Sequence, residues 1–231
     1  MKTIGLIGGM SWESTIPYYR ALNEGIKQQL GGLHSARCIL YSVDFHNIER
    51  LQHAGDWDAA GAMLADAARA LELAGADFIV LCTNTMHKVA SSIEAAVSIP
   101  LLHIADATAA AIKRAGFSRV GLLGTKFTMQ QPFYRERLSA QHGIEVLLPN
   151  EAEQDSLHQI IYQELCQGVI NADSKQIVRK MMAGLAWQGV DGIILGCTEI
   201  GLLVSKADAA VPLFDTTVLH AQAAVEWALT G

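Results

Sequence analysis

The sequence predicts an α/β protein built as two pseudo-symmetric lobes, each a mostly parallel sheet wrapped by helices, and three observations carry that prediction. Short apolar runs alternate with longer helical patterns and brief turns, the arrangement of parallel strands joined by helical crossovers. The segment Gly75-Ala-Asp-Phe-Ile-Val-Leu-Cys-Thr-Asn-Thr85 aligns without a gap on Gly189-Val-Asp-Gly-Ile-Ile-Leu-Gly-Cys-Thr-Glu199. The likeness continues outside it: Thr3–Met10 resembles Arg119–Lys126, each is followed by a Pro-aromatic-Tyr-Arg stretch (Pro17–Arg20, Pro132–Arg135), and Ile99–Leu102 echoes Val211–Phe214. A repeat of so long a period means a duplicated domain, because solenoid units are far shorter. With 231 residues and 51% hydrophobic content, the chain can fill two half-size cores. The expected lobes are residues 1–106 plus 213–231 and residues 107–212.

The elements follow in order. Strand candidates are 3–8, 38–43, 78–82 and 100–103 in the first half, and 119–123, 145–148, 192–195 and 211–214 in the second, each a short apolar run bounded by turn residues. Residues 57–74, rich in Ala and Leu, read as a helix that stops at Gly75, and residues 173–188 do the same before Gly189. Glycine just past the last helical turn is a common stop signal.

Composition excludes several classes. A net charge of −6 and the lack of any Lys/Arg run argue against nucleic acid, since phosphate neutralisation needs clustered cations. No 18-residue apolar run occurs, and the N-terminus reaches Gly8, Gly9, Trp12 and Glu13 too early for a signal peptide, so neither a membrane span nor secretion is expected. The expected location is the cytoplasm. There Cys38, Cys82, Cys166 and Cys197 should stay reduced, and none has zinc-ligand spacing. Cys38 and Cys166 read best as small buried hydrophobes.

In parallel sheets, ligands bind at the carboxyl ends of the strands. Met10, Ser11, Thr83, Asn84, Thr125, Cys197 and Thr198 all fall at such ends. The internal alignment sets Thr83 opposite Cys197, so two strand ends facing each other would hold a small molecule between two proton-transfer groups. Gly196 before Cys197 is read as leaving room for a ligand near the backbone. Other constellations are weaker. Gly5-x-x-Gly8-Gly9 lacks the order of a dinucleotide loop, with Asp44 the only support for that reading. His103 and Asp106 lack a third metal ligand, so no metal is expected. His87 reads first as a capped or solvated helix histidine, and second as a group tuning a thiolate. Arg50 is either a surface charge or a grip on a substrate carboxylate.

The tracts Ile4-Gly-Leu-Ile-Gly-Gly-Met-Ser11, Cys82-Thr-Asn-Thr85 and Gly196-Cys-Thr-Glu-Ile200, in this order, resemble the aspartate/glutamate racemase family of cofactor-independent amino-acid racemases. The resemblance spans essentially the whole chain and is strongest to the enterobacterial aspartate/glutamate-specific and broad-specificity members, which share the Gly8-Gly-Met-Ser-Trp-Glu-Ser-Thr15 opening. It implies two α/β lobes with the site in the cleft between them, often a homodimer, no cofactor, and two opposed acid/base groups. Most relatives carry Cys-Asn-Thr in the first lobe. Aligning on Asn84-Thr85 therefore puts the expected cysteine at Thr83 and leaves Cys82 one position early. Successive strand residues point to opposite faces, so Cys82 should not stand in for its neighbour. The internal repeat independently gives Thr83.

The resemblance implies a racemase for aspartate and glutamate with Thr83 and Cys197 as the catalytic pair, and because a threonine hydroxyl is a poor base beside a thiolate, L-to-D turnover is expected to be favoured. Cys197 at a helix N-terminus is expected to be a ready thiolate. Backbone N–H groups of Asn84, Thr85, Thr198 and Glu199 are expected to hold the α-carboxylate. Ser11 and Thr125 would orient the ammonium or side chain, the Glu199 carboxylate would pair with the ammonium, and Met10 would form an apolar wall. Gln52 and Arg50, on a loop after the second strand, are candidates for the distal substrate group. The alternatives are a racemase of a polar neutral amino acid such as homoserine, a single-cysteine decarboxylase or isomerase of the same superfamily, and a two-lobed amino-acid binding protein.

Overall fold

A computed structural model describes residues 1–230. The chain forms two compact units, Met1–His103 together with the chain from His220 onward, and Ile104–Leu219. The first unit runs β1 (Ile4–Gly8), α1 (Trp12–Leu30), β2 (Cys38–Ser42), α2 (Phe45–Ala54), α3 (Trp57–Leu73), β3 (Phe78–Leu81), a 3₁₀ turn (Thr85–Val89), α4 (Ala90–Glu94) and β4 (Leu101–Leu102). The second runs α5 (Ile104–Arg114), β5 (Arg119–Gly124), α6 (Lys126–Gln130), α7 (Pro132–Glu136), β6 (Glu145–Leu147), α8 (Glu151–Gln163), α9 (Ala172–Trp187), β7 (Gly192–Gly196), α10 (Ile200–Leu203) and β8 (Leu213–Asp215). The last helix, α11 (Thr216–Leu229), begins in the second unit and ends in the first.

Each unit holds one four-stranded, all-parallel sheet, ordered β2-β1-β3-β4 and β6-β5-β7-β8. The identical order is the duplication read from the sequence, now as topology. Every strand, and the two helices expected at 57–74 and 173–188, fall within two residues of their expected spans. The expected boundary at 212/213 assigns β8 to the first lobe. The ladder from β7, with Leu213 opposite Ile193, keeps β8 in the second sheet, and the chain returns to the first unit only at His220.

Strand alternation distributes the first unit's core to two faces. Ile4 and Leu6 of β1, with Phe78 and Val80 of β3, pack on Tyr18, Leu22 and Ile26 of α1 and on Ala221, Ala224 and Val225 of α11. Ile7, Ile79 and Leu81 face the other way, onto Ile48 of α2 and Leu64, Ala68 and Leu71 of α3. Covering both faces explains why these strands read as continuous apolar runs. The repeated Pro-aromatic-Tyr-Arg stretch does not bury the same position in both units: Tyr18 is buried where its counterpart Phe133 is only partly so, and Tyr134 is buried where its counterpart Tyr19 is exposed.

α11 is fastened to the first unit by His220. Its Nδ1 accepts the Tyr18 hydroxyl at 2.9 Å, and its Nε2 donates to the Leu102 carbonyl at 2.9 Å, a tautomer set by the carbonyl being acceptor only. Burial lowers the imidazole to about 4. Among the described residues no helix is long and apolar enough to cross a membrane.

The depressed His220 value makes stability depend on pH. An unfolded imidazole titrates near 6.5, so the neutral buried ring contributes its full stability above about pH 6.5 and loses it as pH falls toward 4, by up to about 3 kcal/mol. Urea unfolding at pH 7 and pH 4.5 should show this, with His220→Gln less stable at pH 7 and its loss on acidification smaller. An equal loss in both proteins would show that His220 is not the responsible group.

Candidate active site

In the first unit, β1 and β3 end side by side, Ile7 opposite Leu81, and the Cys82 N–H continues the ladder to the Ile7 carbonyl at 2.9 Å. Gly9 turns the chain at φ 90°, where a Cβ would stand 2.3 Å from the Val43 carbonyl, and its N–H donates to Thr15 Oγ1 at 2.9 Å. Only glycine fits there. The turn delivers Met10 and Ser11 to the strand end. Ser11 is buried at the N-cap of α1, its carbonyl accepting the Ser14 and Thr15 hydroxyls at 3.0 Å each. Met10 lies in the core with Ile7, Ile48 and Met86.

At the end of β3 the strand alternation separates the two candidates for the first acid/base group. Cys82 joins the α1/α11 side of the core with Phe78 and Val80, is fully buried, and points its thiol at the Val80 carbonyl, 3.7 Å away. Burial pushes that thiol well above its ordinary value, and the nearby Cys38 adds to the effect. Thr83, the next residue, is also buried, and its N–H turns back to the Leu81 carbonyl at 2.9 Å. Asn84 and Thr85 follow, both buried.

The sequence reading of His87 is corrected here. It is neither solvated nor a helix cap: it is buried on the 3₁₀ turn, and its Nδ1–H donates to the Thr83 carbonyl at 2.7 Å. Its ring centroid is 4.4 Å from that of His103 and 6.0 Å from that of His220. No residue spacing in the sequence announced that three histidines would meet. Gln52 and Arg50 sit on α2, not on a loop, because Asp44 caps this helix by accepting the His46 N–H at 3.1 Å. Gln52 faces inward, its Nε2 donating to Met86 Sδ at 3.0 Å, whereas Arg50 is exposed.

The second unit repeats the arrangement. β5 and β7 end together, Gly124 opposite Gly196, so Thr125 and Cys197 leave adjacent strand ends. Thr125 caps α6, its Oγ1 accepting the Thr128 N–H at 3.2 Å. The room expected beside Gly196 is already filled: a Cβ would stand 2.6 Å from Leu122 Cδ1 and 3.1 Å from the Leu123 carbonyl, so packing of the sheet demands this glycine. Asp106, once considered with His103 as a metal pair, is held by Arg137 at 2.7 and 2.6 Å and by His142 at 3.0 Å.

Cys197 is 7% exposed, and its Sγ donates to Glu199 Oε2 at 3.0 Å; the Thr198 hydroxyl donates to the same oxygen at 2.8 Å. The expected ready thiolate is therefore overturned. Burial first, then the Glu199 charge and the neighbouring Cys166, push the Cys197 thiol well above its ordinary value. α10, a single turn beginning at Ile200, is too short to offset them. Cys166, read as a plain hydrophobe, packs on the core but is also close enough to Glu199 for that charge to add to burial in raising its thiol. The sequence held no signal for this approach across more than thirty intervening residues.

Thus each unit presents, after the same pair of strands, a turn residue with a hydroxyl (Ser11, Thr125) and a buried acid/base candidate (Thr83, Cys197) followed by two buried polar residues. Comparison with known proteins places the chain as a whole. The Asp/Glu/hydantoin racemase profile matches residues 7–224. The broad-specificity amino-acid racemase RacX of Bacillus subtilis is 26% identical over 96% of both chains. A crystal structure from Yersinia pestis, of a candidate Asp/Glu racemase, superposes with TM-score 0.92 and 60% identity over 100% of both chains. The structure of an aspartate racemase homologue from Pyrococcus horikoshii gives 0.84 and 36% over 99% of both. By the extent of the profile match and the whole-length identity to these structures, the chain belongs to the Asp/Glu/hydantoin racemase family of isomerases.

Proposed function

We propose that the protein interconverts L- and D-aspartate or L- and D-glutamate without a cofactor, by two-base proton transfer at Cα between Cys197 and Thr83. The observation that carries the reading is the equivalence of the two strand ends, with a buried thiol after β7 and a buried hydroxyl after β3 at positions related by the repeat. One group removes the α-proton and the other returns one to the opposite face. The α-proton beside a carboxylate is barely acidic, so the developing enediolate needs fixed donors. The N–H groups of Asn84, Thr85, Thr198 and Glu199 are assigned to the α-carboxylate, Ser11 and Thr125 to the polar groups of the substrate, Met10 to an apolar wall, and Gln52 to the distal group.

A thiolate is a far better base than a threonine hydroxyl, so turnover from L, with Cys197 as base, should exceed turnover from D. The equilibrium between enantiomers is unity, so a slower kcat from D must be matched by a lower KM. A second reading, a racemase acting on polar neutral amino acids such as homoserine, is favoured by the whole-length likeness to a racemase of broad specificity.

Chiral chromatography of reactions started from each enantiomer tests the assignment. Cys197→Ser, nearly isosteric but a much weaker acid, should lower racemisation by roughly 10²-fold or more with unchanged circular dichroism. Retention of more than about a tenth of the activity removes Cys197 from the chemistry. Thr83→Val, which deletes the hydroxyl but keeps the branched shape, should be about as damaging, whereas Cys82→Ala should cost activity only a few-fold. The reverse order would assign the first-unit proton to Cys82.

A further inference from the structure

The carbonyl of Thr83 lies past the last rung between β1 and β3, so a side chain and not a strand supplies its hydrogen-bond donor: buried His87, four residues on, gives its Nδ1–H at 2.7 Å. The Thr83 N–H is held as well, by the Leu81 carbonyl at 2.9 Å. Among the described residues the Thr83 hydroxyl itself has no hydrogen-bond partner, so this backbone clamp is what aims it. The clamp has its own support. The His87 ring packs against those of His103 and His220, and His220 is tied to the Tyr18 hydroxyl and the Leu102 carbonyl at 2.9 Å each. All of these residues belong to the first unit.

The second unit is built differently at this point. The internal repeat sets Gly201 at the position of His87, and a Cβ there would stand 2.5 Å from Asp215 Oδ2, which leaves no room for a counterpart. The Cys197 carbonyl accepts instead from the Ile200 N–H at 3.1 Å, a bond within the turn's own backbone. The imidazole therefore accompanies the threonine and not the cysteine. A hydroxyl is a far poorer acid than a thiol, so proton transfer from it is the slower of the two, and misalignment is felt most in the slower transfer.

Resting on the two-base reading above, we propose that His87 is a positioning residue for Thr83, its Nδ1–H holding the Thr83 carbonyl and thereby aiming the hydroxyl at Cα. Once Cys197 has taken the α-proton, the carbanion has two fates. In one, the Thr83 O–H bond breaks and its proton forms the new C–H bond on the opposite face, which inverts the centre. In the other, the Cys197 S–H bond breaks again and its hydrogen returns to the original face. The first leaves an alkoxide on Thr83 and a thiol on Cys197; water gives a proton to the one and takes a proton from the other, so no further reactant is needed. His87 favours the first fate by geometry and transfers no proton itself.

In deuterium oxide the two fates leave different marks, because hydrogen returned from Cys197 after exchange with solvent puts deuterium into the L-enantiomer. Chiral chromatography with mass spectrometry reads the ratio of deuterated L-substrate to D-product, starting from L-aspartate or L-glutamate, whichever the wild-type protein inverts faster. A loss of folded protein lowers both quantities together and leaves the ratio unmoved. In His87→Gln the amide N–H sits one bond beyond the place of Nδ1. This variant should lower kcat for inversion by about tenfold or more, change KM by less than about threefold and raise the ratio by about tenfold, in keeping with the cost of a misplaced group. In His87→Asn the amide nitrogen falls where Nδ1 stands, and most of kcat and of the wild-type ratio should return. An unchanged ratio in His87→Gln, or equal ratios in the two variants, would overturn the proposal. Thr83→Val is the control. Full inversion by Thr83→Val sinks the two-base reading itself, whereas deuterium entering the L-pool without inversion in Thr83→Val, beside an unchanged ratio in His87→Gln, sinks the role of His87 alone.

Discussion

In both units the backbone amides are satisfied strand to strand, and side chains cover both faces of the sheet. A polar side chain inside a strand would be buried without a partner, which costs about 1–3 kcal/mol or more. Reactive groups are therefore confined to the carboxyl ends, where the ladder stops and turns begin. Thr83 and Cys197 each stand one or two residues past the last paired position of a central strand. The register of β1 with β3, and of β5 with β7, brings the paired strand ends together, so that Ser11 and Thr83 follow one pair of strands and Thr125 and Cys197 the other. Loss of register by one residue would exchange Cys82 for Thr83 at the first site.

The same confinement makes the chemistry of Cys197 unlike that of an exposed thiol. Burial and the neighbouring Glu199 carboxylate raise the Cys197 thiol well above its ordinary value. The position of Cys197 ahead of a helix pointed to a thiolate prepared by the helix dipole. The structure shows a short α10 and a Cys197–Glu199 hydrogen bond instead. The first unit has no counterpart of Glu199 in the aligned position, where Thr85 stands. The asymmetry of the pair is thus written into both the acid/base residues and their partners.

Much of this was legible in the sequence. The gap-free repeat announces the duplicated fold that the two identically ordered sheets bear out, and it aligns Thr83 with Cys197. What the sequence could not show was distance across the fold. The three-histidine cluster joins the 3₁₀ turn, the segment after β4 and α11, and the approach of Cys166 to Glu199 joins α8's end to β7's, contacts no local pattern encodes. Gln52 was placed on a loop because the Asp44 cap of α2 went unrecognised. Gly196 was credited to a ligand when sheet packing already required it. The expected boundary at 212/213 cuts off β8, which hydrogen bonding to β7 keeps in the second sheet.

The central claim is that two different groups act on opposite faces of Cα. It is tested most directly by mass spectrometry of both enantiomers at the earliest turnovers in deuterium oxide, starting from protiated L-substrate. A two-group mechanism puts solvent deuterium into the D-product while the remaining L-substrate is still protiated. Product that keeps the original α-proton, or deuterium entering the L-pool as fast as the D-pool, would mean that one group serves both faces, and would contradict the account.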